Sequence, residues 1–394
     1  MTQPLDGIRI VDFGWVLAGP YATRVMADFG AEVIKVQSVA TAANNTFNLT
    51  AYFNVWNRNK LGITLNLDKP QGIDIAKRLI LSSDVVVENF SPRVMDNWGL
   101  DYGALCLAKP ELIMLSVSGV GHNGLYRDRV AFGATIQALS GLTCLTSYTD
   151  QYPSGLGYSH ADHVAGLMAA LAILQALEYR TKTGMGQYID LSEQEAMTAL
   201  MGVALMEYTS TQHVPRPEGN GPGHLNAAPH NVYRCKGEDK WCAICVSSPD
   251  QWRALCQVIG SPSWVEEIRF TTSVGRKRNA AELDRLIEEW TKQHSPEEVM
   301  ELLQERGVAA GMVQDARDLS LDTQLKDRGF YREVDHPLLG RIVLDSTPIR
   351  LSETQAEYHS TAPVFGQDNT YVYHEILGMS MEEIEKNVAE GVIS

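Results

Sequence analysis

The chain has 394 residues, 44% of them hydrophobic and 21% charged, and its formal net charge is −15. This composition is typical of a soluble globular protein with more than one domain. The negative charge disfavours binding to nucleic acid or to a membrane. The N-terminal sequence MTQPLDGIRIVDF lacks the pattern of a signal peptide, and the longest apolar run, residues 167–177, is too short to span a bilayer. We therefore expect a cytoplasmic protein.

The first third of the chain alternates strand-like and helix-like segments. Hydrophobic periodicity predicts strands at residues 8–13, 31–37, 84–90 and 111–119, and helices at residues 21–30 and 70–83. This alternation favours a parallel sheet with helices on both faces. Ligands bind such sheets beyond the carboxyl ends of the strands, so the candidate contacts are residues 14–20, 89–92 and 118–121. The loop GWVLAGP does not match G-x-G-x-x-G, which argues against a dinucleotide.

The pattern changes after a long apolar helix that starts near Asp162 and ends before Gly184. A further helix is predicted at residues 193–210, and residues 211–230 have the composition of a linker or functional loop. Later segments predict a hairpin near 236–240, helices at 250–260, 279–293 and 295–307, a strand at 308–314, and a last helix with a capping box of Ser380 and Glu383. These elements predict a smaller α+β domain.

The six cysteines do not form a disulfide framework in a chain of this length, and we expect reduced thiols. Cys235, Cys242, Cys245 and Cys256 include one C-x-x-C pair, which zinc sites use. A second pair at ligand spacing is missing, and KWCAICVSS is typical of a buried strand. We therefore predict no metal site.

Asp162 stands between His160 and His163 at the head of the long helix. An Asp before an apolar helical run is typical of an N-cap. The same position suits a nucleophile, because the helix is a rigid support and the field at its N-terminus favours the ionised carboxylate. The local pattern leaves both roles open. The two histidines lack the spacing of a metal motif, and we interpret them as hydrogen-bonded residues of the helix start.

Several segments, in the same order along nearly the whole chain, resemble the class III CoA-transferases. That superfamily includes formyl-CoA transferases, carnitine CoA-transferases and acyl-CoA racemases. The segments include PLDGIRIVDFGWVLAGPYATRVMADFGAEVIKV, NRNKLGITLNL, DVVVENFSP, LSVSGVG, IQALSGL and ADHVAGLMAALAILQALEYRTKTGMGQYIDLS. The resemblance implies a Rossmann-like large domain at residues 1–224 and 331–394, a smaller inserted α+β domain at residues 225–330, and an interlocked dimer.

The resemblance implies that Asp162 is the nucleophile. Its carboxylate would attack an acyl-CoA thioester to give a mixed anhydride, and the CoA thiolate would then form an aspartyl-CoA thioester. A carboxylic acid acceptor would reverse these steps. The resemblance thus implies an acyl-CoA substrate, with succinyl-CoA as the favoured donor. No permanently bound cofactor is expected. The chain would act as a homodimer or as a heteromer with a related chain. A poorly active subunit of a heteromer is an alternative, but the presence of Asp162 favours an active chain.

The resemblance also implies CoA contacts at the strand ends of the large domain. The predicted positions are Val16, Leu17, Ala18, Leu65, Asn66, Leu67, Asn89, Phe90, Ser91, Arg93, Asn97 and Phe132. Two arginines that bind CoA phosphates in formyl-CoA transferases are replaced here by Ser38 and Asn97, and a lysine is replaced by Val130. The missing charge must come from other cations, and those nearby in sequence are Arg58, Lys60, Arg93, Arg127 and Arg129.

Two departures from the family pattern bear on the reaction. The segment GNGPGHLNAAPHNVY replaces the glycine-rich loop of formyl-CoA transferases, so it is either a linker or an acceptor-binding loop that uses His224, Asn226 and His230. This change argues against oxalate or formate. Racemases of the superfamily need a proton-transferring His where this chain has Phe132, and His122 is the only other histidine near it in sequence. The racemase alternative is therefore disfavoured.

Overall fold

The computed structural model describes residues 2–38, 46–148, 151–221 and 226–394. The chain forms two compact units. The first comprises Met1–Thr143, Gly155–Val214 and Gln324–Ser394, and the second comprises Cys144–Ser154 and Pro215–Thr323. The domain boundaries at residues 224 and 330 stay a prediction.

The first unit is built on a parallel sheet. Its strands are β1 (Arg9–Asp12), β2 (Glu32–Gln37), β3 (Lys60–Thr64), β4 (Val85–Glu88), β5 (Ile113–Ser118) and β6 (Tyr188–Ser192). They lie in the order β3-β2-β1-β4-β5-β6, and every pairing is parallel. The predicted α/β class with a parallel sheet is confirmed. The strand order reverses between β1 and β4, which is where open sheets of this type bind ligands.

The other strands form two antiparallel sheets. In the second unit, β7 (His230–Arg234), β8 (Trp241–Cys245) and β9 (Ala309–Met312) lie in that order. In the first unit, β10 (Tyr331–His336) and β11 (Gly340–Asp345) form a hairpin that the sequence analysis missed. The predicted strand KWCAICVSS contains β8, and Cys242 is buried there against Trp252 and Leu255. Burial raises the pKa of the Cys242 thiol to about 12, so it stays protonated.

The helices of the N-terminal half are α1 (Ala18–Asp28), α2 (Ala51–Asn57), α3 (Pro70–Leu81), α4 (Val94–Asn97), α5 (Tyr102–Ala108), α6 (Gly133–Leu139), α7 (Leu142–Leu145), α8 (His160–Thr183), α9 (Glu193–Leu200) and α10 (Gly202–Thr211). The later helices are α11 (Pro249–Val258), α12 (Ser273–Arg278), α13 (Ala280–Thr291), α14 (Pro296–Gln304), α15 (Ala316–Leu321), α16 (Thr323–Asp327) and α17 (Met381–Ala389). Short 3₁₀ turns lie at Ser263–Glu266 and Ile268–Phe270, and a π-helical turn lies at Tyr371–Ile376. The capping box of Ser380 and Glu383 is confirmed, whereas the helix expected at 193–210 breaks at Met201 into α9 and α10.

Helices cover both faces of the parallel sheet, which explains why its strands are apolar throughout. Val86 faces the core formed with Ile75 of α3 and Ile384 of α17. Its neighbours Val85 and Val87 face the opposite core, formed with α1 and α8. Consecutive side chains of a strand point to opposite faces, so one valine run supplies two cores.

Helix α8 is a core element that packs closely on α1. It has 24 residues, and among the described residues it alone is long and apolar enough to cross a membrane by length and composition. The apolar run at residues 167–177 is thus part of a longer helix, and it is this whole helix that has the length. Yet Ala165, Ala169 and Ile173 are fully buried against the sheet and α1. A Cβ on Gly166 would lie 2.9 Å from Ala18 O, so the glycine permits the close approach of the two helices.

Two cations that were candidates for phosphate binding are instead part of the core. Arg58 donates to both carboxylate oxygens of Asp28, at 2.9 and 2.6 Å, and is fully buried. Lys60 donates to Asp12 Oδ2 at 2.8 Å and is also buried. A buried carboxylate without such a partner would be strongly destabilising. These two cations therefore serve the fold, and neither is a solvated surface charge or a free candidate for phosphate binding.

Candidate active site

Asp162 is the third residue of α8 and lies inside the first helical turn. Ser159 occupies the N-cap position, and its hydroxyl donates a hydrogen bond to Asp162 Oδ2 instead of capping the backbone. The interpretation of Asp162 as the N-cap is therefore wrong. The carboxylate lies where the free N–H groups and the helix dipole provide positive potential, which favours its ionised form.

Asp162 lines a cavity of about 390 Å³ at the carboxyl ends of the strands. The cavity is formed by the segments that follow β1, β4 and β5, together with the starts of α6, α8 and α9. Its lining comprises Trp15, Val16, residues 89–92, Val94, residues 117–120, Arg127, residues 129–133, Asp162 and Glu193. The candidate contacts expected from the strand-end rule thus contribute to one cavity with Asp162.

The backbone of α6 closes tightly over the Asp162 carboxylate. Gly133, the first residue of α6, is buried, and a Cβ at this position would overlap both Ser159 Oγ and Asp162 Oδ2. A side chain here would thus push the carboxylate out of place. The sequence analysis missed this residue, because the constraint arises from a contact between two distant helices.

The charge of Asp162 contributes to raised pKa values of two neighbouring side chains, Glu193 and Tyr52. Glu193 is only 7% exposed, and burial together with the Asp162 charge raises its pKa to about 8. Burial likewise raises the pKa of Asp162, an effect that a backbone hydrogen bond and His163 oppose. Tyr52 of α2 has a pKa raised to about 12 by burial and by Asp162. The strand-end rule, applied to β6, would have identified Glu193.

The two histidines beside Asp162 have structural partners. His163 Nδ1 donates to Ser159 O at 2.6 Å, and its ring contacts Trp56 at a centroid distance of 5.1 Å. His160 Nδ1 lies 3.1 Å from Tyr158 Oη. Among the described residues no cluster of three or more His, Cys, Asp or Glu could hold a metal ion. These histidines therefore fix the start of α8.

A second cavity, of about 370 Å³, adjoins the Asp162 cavity. The two share Trp15, Val16 and Phe90 as lining residues. Of the predicted CoA contacts, this second cavity contains Val16, Leu65, Asn66, Leu67 and Phe90. An extended ligand could thus reach from the second cavity to the Asp162 carboxylate.

Asn89 fixes the loop between these cavities. Its side-chain amide accepts a hydrogen bond from Trp15 N at 2.8 Å and donates one to Trp15 O at 2.9 Å. The next residue, Val16, has φ of 60°, which is rare for a β-branched side chain and is found mostly where the surroundings impose it. The two hydrogen bonds between Asn89 and Trp15 hold this strained turn in place, next to the point where the strand order of the sheet reverses.

Other predicted contacts lie elsewhere. Leu17 and Ala18 are buried in the core, and Asn97 is exposed outside both cavities. Arg93 lines a third cavity and donates to Asp128 at 2.8 Å. These four residues thus lie outside the linings of the two adjoining cavities, and their assignment as CoA contacts stays a prediction. By contrast, Ser91, Asn89 and Phe132 line the Asp162 cavity.

The predicted acceptor loop is described only in part, because His224 lies outside the described residues. Asn226 Oδ1 accepts a hydrogen bond from Ser273 Oγ at 3.0 Å, and His230 Nδ1 donates to Asn220 O at 3.0 Å. Both residues thus have partners inside the second unit. Their role in acceptor binding stays a prediction.

His122 does not reach the Asp162 cavity. It lines the third cavity, where its Nε2 lies 3.6 Å from Glu88 Oε1. Phe132, in contrast, lines the cavity of Asp162. A proton-transferring histidine is therefore absent from the described lining of that cavity.

Comparisons with known proteins agree along the whole chain. The family model for CoA-transferase family III matches residues 5–369. The succinyl-CoA–D-citramalate CoA-transferase of Chloroflexus aurantiacus is 34% identical over 99% of this chain and 98% of its own length. The alpha subunit of a succinyl-CoA–L-malate CoA-transferase from Chloroflexus aurantiacus is 32% identical over 97% of this chain and 91% of its own. The crystal structure of a CAIB/BAIF family protein from Brucella suis has a TM-score of 0.88 at 32% identity, covering 95% of this chain and 100% of that one.

The contact between Gly133 and Asp162 predicts a measurable cost of adding one methyl group. Gly133→Ala should lower the free energy of unfolding by about 1–3 kcal/mol, because the new Cβ overpacks the start of α8. Gly155→Ala is the matched control, since nothing lies within 4 Å of a Cβ there, and it should change stability by no more than about 0.5 kcal/mol. Equal denaturant midpoints for the two variants would show that the contact is not tight.

Proposed function

Because the chain belongs to CoA-transferase family III, we propose that it moves CoA from an acyl-CoA thioester to a carboxylic acid with Asp162 as the nucleophile. The observation that carries the proposal is the position of Asp162. A half-buried carboxylate at the head of a rigid helix lines the cavity that continues into the groove at the strand ends. Such a carboxylate is held in place and kept reactive.

The proposed reaction conserves the thioester bond energy in covalent intermediates. Asp162 attacks the thioester carbonyl, the carbon–sulfur bond breaks, and CoA thiolate and an aspartyl anhydride form. The thiolate then attacks the aspartyl carbonyl, which releases the donor acid and leaves an aspartyl-CoA thioester. The acceptor carboxylate regenerates Asp162 by the same steps in reverse. Each step forms an oxyanion that N–H groups at the start of α8 can stabilise.

The cavity favours a substrate with a second carboxylate. Arg127 and Arg129 line it together with Asp162, and the guanidinium of Arg129 stacks 3.6 Å from the ring centre of Tyr126. The two relatives named above act, by their names, on succinyl-CoA with a hydroxy dicarboxylic acid. We therefore propose succinyl-CoA as the donor and a dicarboxylic acid as the acceptor. Trp15 and Phe132 provide apolar surface for a bulky acceptor in the same cavity.

The proposed assembly is a dimer with a second copy or with a related chain. Leu167, Leu171 and Leu174 of α8 are all more than 40% exposed, and their spacing puts them on one face of the helix. An exposed apolar face of this kind is typical of a protein–protein interface. The interlocked arrangement expected from the resemblance belongs to this proposal.

Substitution of the nucleophile should abolish transfer. Asp162→Asn should reduce kcat for CoA transfer by about 10³-fold or more, because the amide cannot form the anhydride. His160→Gln is the control and should retain most of the activity, because the His160 side chain bonds to Tyr158 and does not line the cavity of Asp162. Transfer by folded Asp162→Asn at a rate near that of the unchanged chain would refute the proposed mechanism. A racemase would instead exchange the α-proton of a 2-methylacyl-CoA in D₂O, which we expect not to occur.

The proposed second carboxylate can be tested at Arg129. Arg129→Gln should raise KM for succinyl-CoA about 10- to 150-fold, the effect of losing one charge-assisted hydrogen bond. KM for butyryl-CoA, which lacks the distal carboxylate, should change little. An equal increase for both donors would mean that Arg129 does not recognise that carboxylate.

The dimer proposal predicts a particle of about twice the 43.5 kDa of one chain in light scattering of the purified protein. Leu171→Glu should weaken the assembly, because it places a charge in the apolar face. The exposed Leu107→Glu is the control and should leave the mass unchanged. A monomer that is fully active would contradict the proposal.

A further inference from the structure

The Asp162 cavity contains a second carboxyl group that the proposed reaction does not use. Glu193 is the first residue of α9 and follows directly on the end of β6. It is only 7% exposed and lines the same cavity as Asp162. Two carboxyl groups thus share one cavity.

Glu193 has no neutralising partner within the described part of the chain, where its side chain makes no hydrogen bond or ion pair. The two arginines that line the cavity have other neighbours: Arg127 lies 3.8 Å from Asp128, and Arg129 stacks on Tyr126. The group that acts on Glu193 electrostatically is Asp162. Apart from the N-terminus of α9, where it lies, Glu193 thus has no described partner that favours its charged form.

The elements packed against α9 also leave Glu193 without a neutralising partner. Helix α6 carries no titratable side chain, and α8 contributes Asp162 together with His160 and His163, which are bonded to Tyr158 and Ser159. On β6, Tyr188 has a pKa raised to about 12 and so stays neutral, and Asp190 accepts hydrogen bonds from His122 N and Asn123 Nδ2. On α10, Tyr208 is half exposed and Glu207 pairs with His213.

We propose that Glu193 holds the single proton shared by these two carboxyl groups and thereby leaves Asp162 ionised to attack the thioester. Two nearby carboxylates cannot both ionise without a large electrostatic cost, so one of them keeps a proton. Both side chains lie in the first turn of a helix. Asp162 differs in that it accepts a hydrogen bond from the Ser159 hydroxyl and has His163 beside it, and both favour its charged form. Glu193 is thus a positioning residue for the charge of Asp162, and the inference rests on the proposed role of Asp162.

This arrangement sets an upper pH limit for activity. With a pKa raised to about 8, Glu193 is neutral below that pH and ionised above it. Once ionised, it adds a negative charge beside the nucleophile, which repels the acceptor carboxylate and the forming oxyanion. The rate should therefore fall as the pH rises through about 8, and the fall should depend on Glu193.

The test is the pH dependence of kcat/KM for CoA transfer from pH 6 to about pH 9.5 in the full-length chain, in Glu193→Gln and in Glu193→Met. Both substitutions keep the length of a neutral Glu side chain. We expect the unchanged chain to lose activity above pH 8, up to about tenfold per unit, and both variants to stay flat and within about threefold of it at pH 7. The exposed Glu195→Gln is the control and should keep the alkaline fall.

Three outcomes would overturn the inference. The first is the same alkaline fall in Glu193→Gln as in the unchanged chain. The second is a large loss of activity at pH 7 in folded Glu193→Gln. The third is a failure of both variants to fold. If Glu193 is protonated, its replacement by a neutral side chain removes no charge, so both variants should fold. Transfer activity in Asp162→Asn would instead refute the proposed function, so the two failures can be told apart.

Discussion

The close packing of α8 against α1 and α6 is the constraint on which the candidate active site depends. Gly166 lets α8 approach the backbone of Ala18, and Gly133 lets the start of α6 approach Asp162. Because both contacts involve backbone, they leave little freedom for the first turn of α8. The Asp162 carboxylate is thereby held at the carboxyl edge of the sheet, beside the loop that Asn89 fixes. A nucleophile that must attack in successive steps benefits from such a fixed position.

Burial of charge is the second organising feature. The chain is strongly acidic, yet its buried carboxylates Asp12 and Asp28 each have a buried cation as partner. Asp162 and Glu193 lack such a partner and share a cavity instead. Burial then raises both pKa values, which is typical of groups that take part in catalysis. The contrast distinguishes Asp12 and Asp28, which serve the fold, from Asp162 and Glu193, which line the candidate active site.

Much of the large unit could be predicted from the sequence, because hydrophobic periodicity directly reports burial. The strands near residues 8–13 and 84–90 and the long helix after Asp162 are confirmed. Short elements such as α2 and the β10–β11 hairpin were missed, because their stability comes from tertiary contacts rather than local pattern. Arg58 and Lys60 were misinterpreted for a similar reason: a sequence does not reveal which cations meet a buried carboxylate. Gly133 became visible only in the structure, because its constraint arises where two elements distant in sequence meet. Glu193 follows directly on β6, so the strand-end rule could have indicated it from the sequence.

The central claim is that the carboxylate of Asp162 carries CoA during turnover. The most direct measurement is to incubate the protein with acyl-CoA in the absence of an acceptor, digest it, and determine by mass spectrometry which peptide carries CoA. We expect a CoA thioester on the peptide that contains Asp162 and its loss after addition of the acceptor acid. A CoA adduct on another residue, or steady transfer with no adduct in the quenched enzyme, would contradict it.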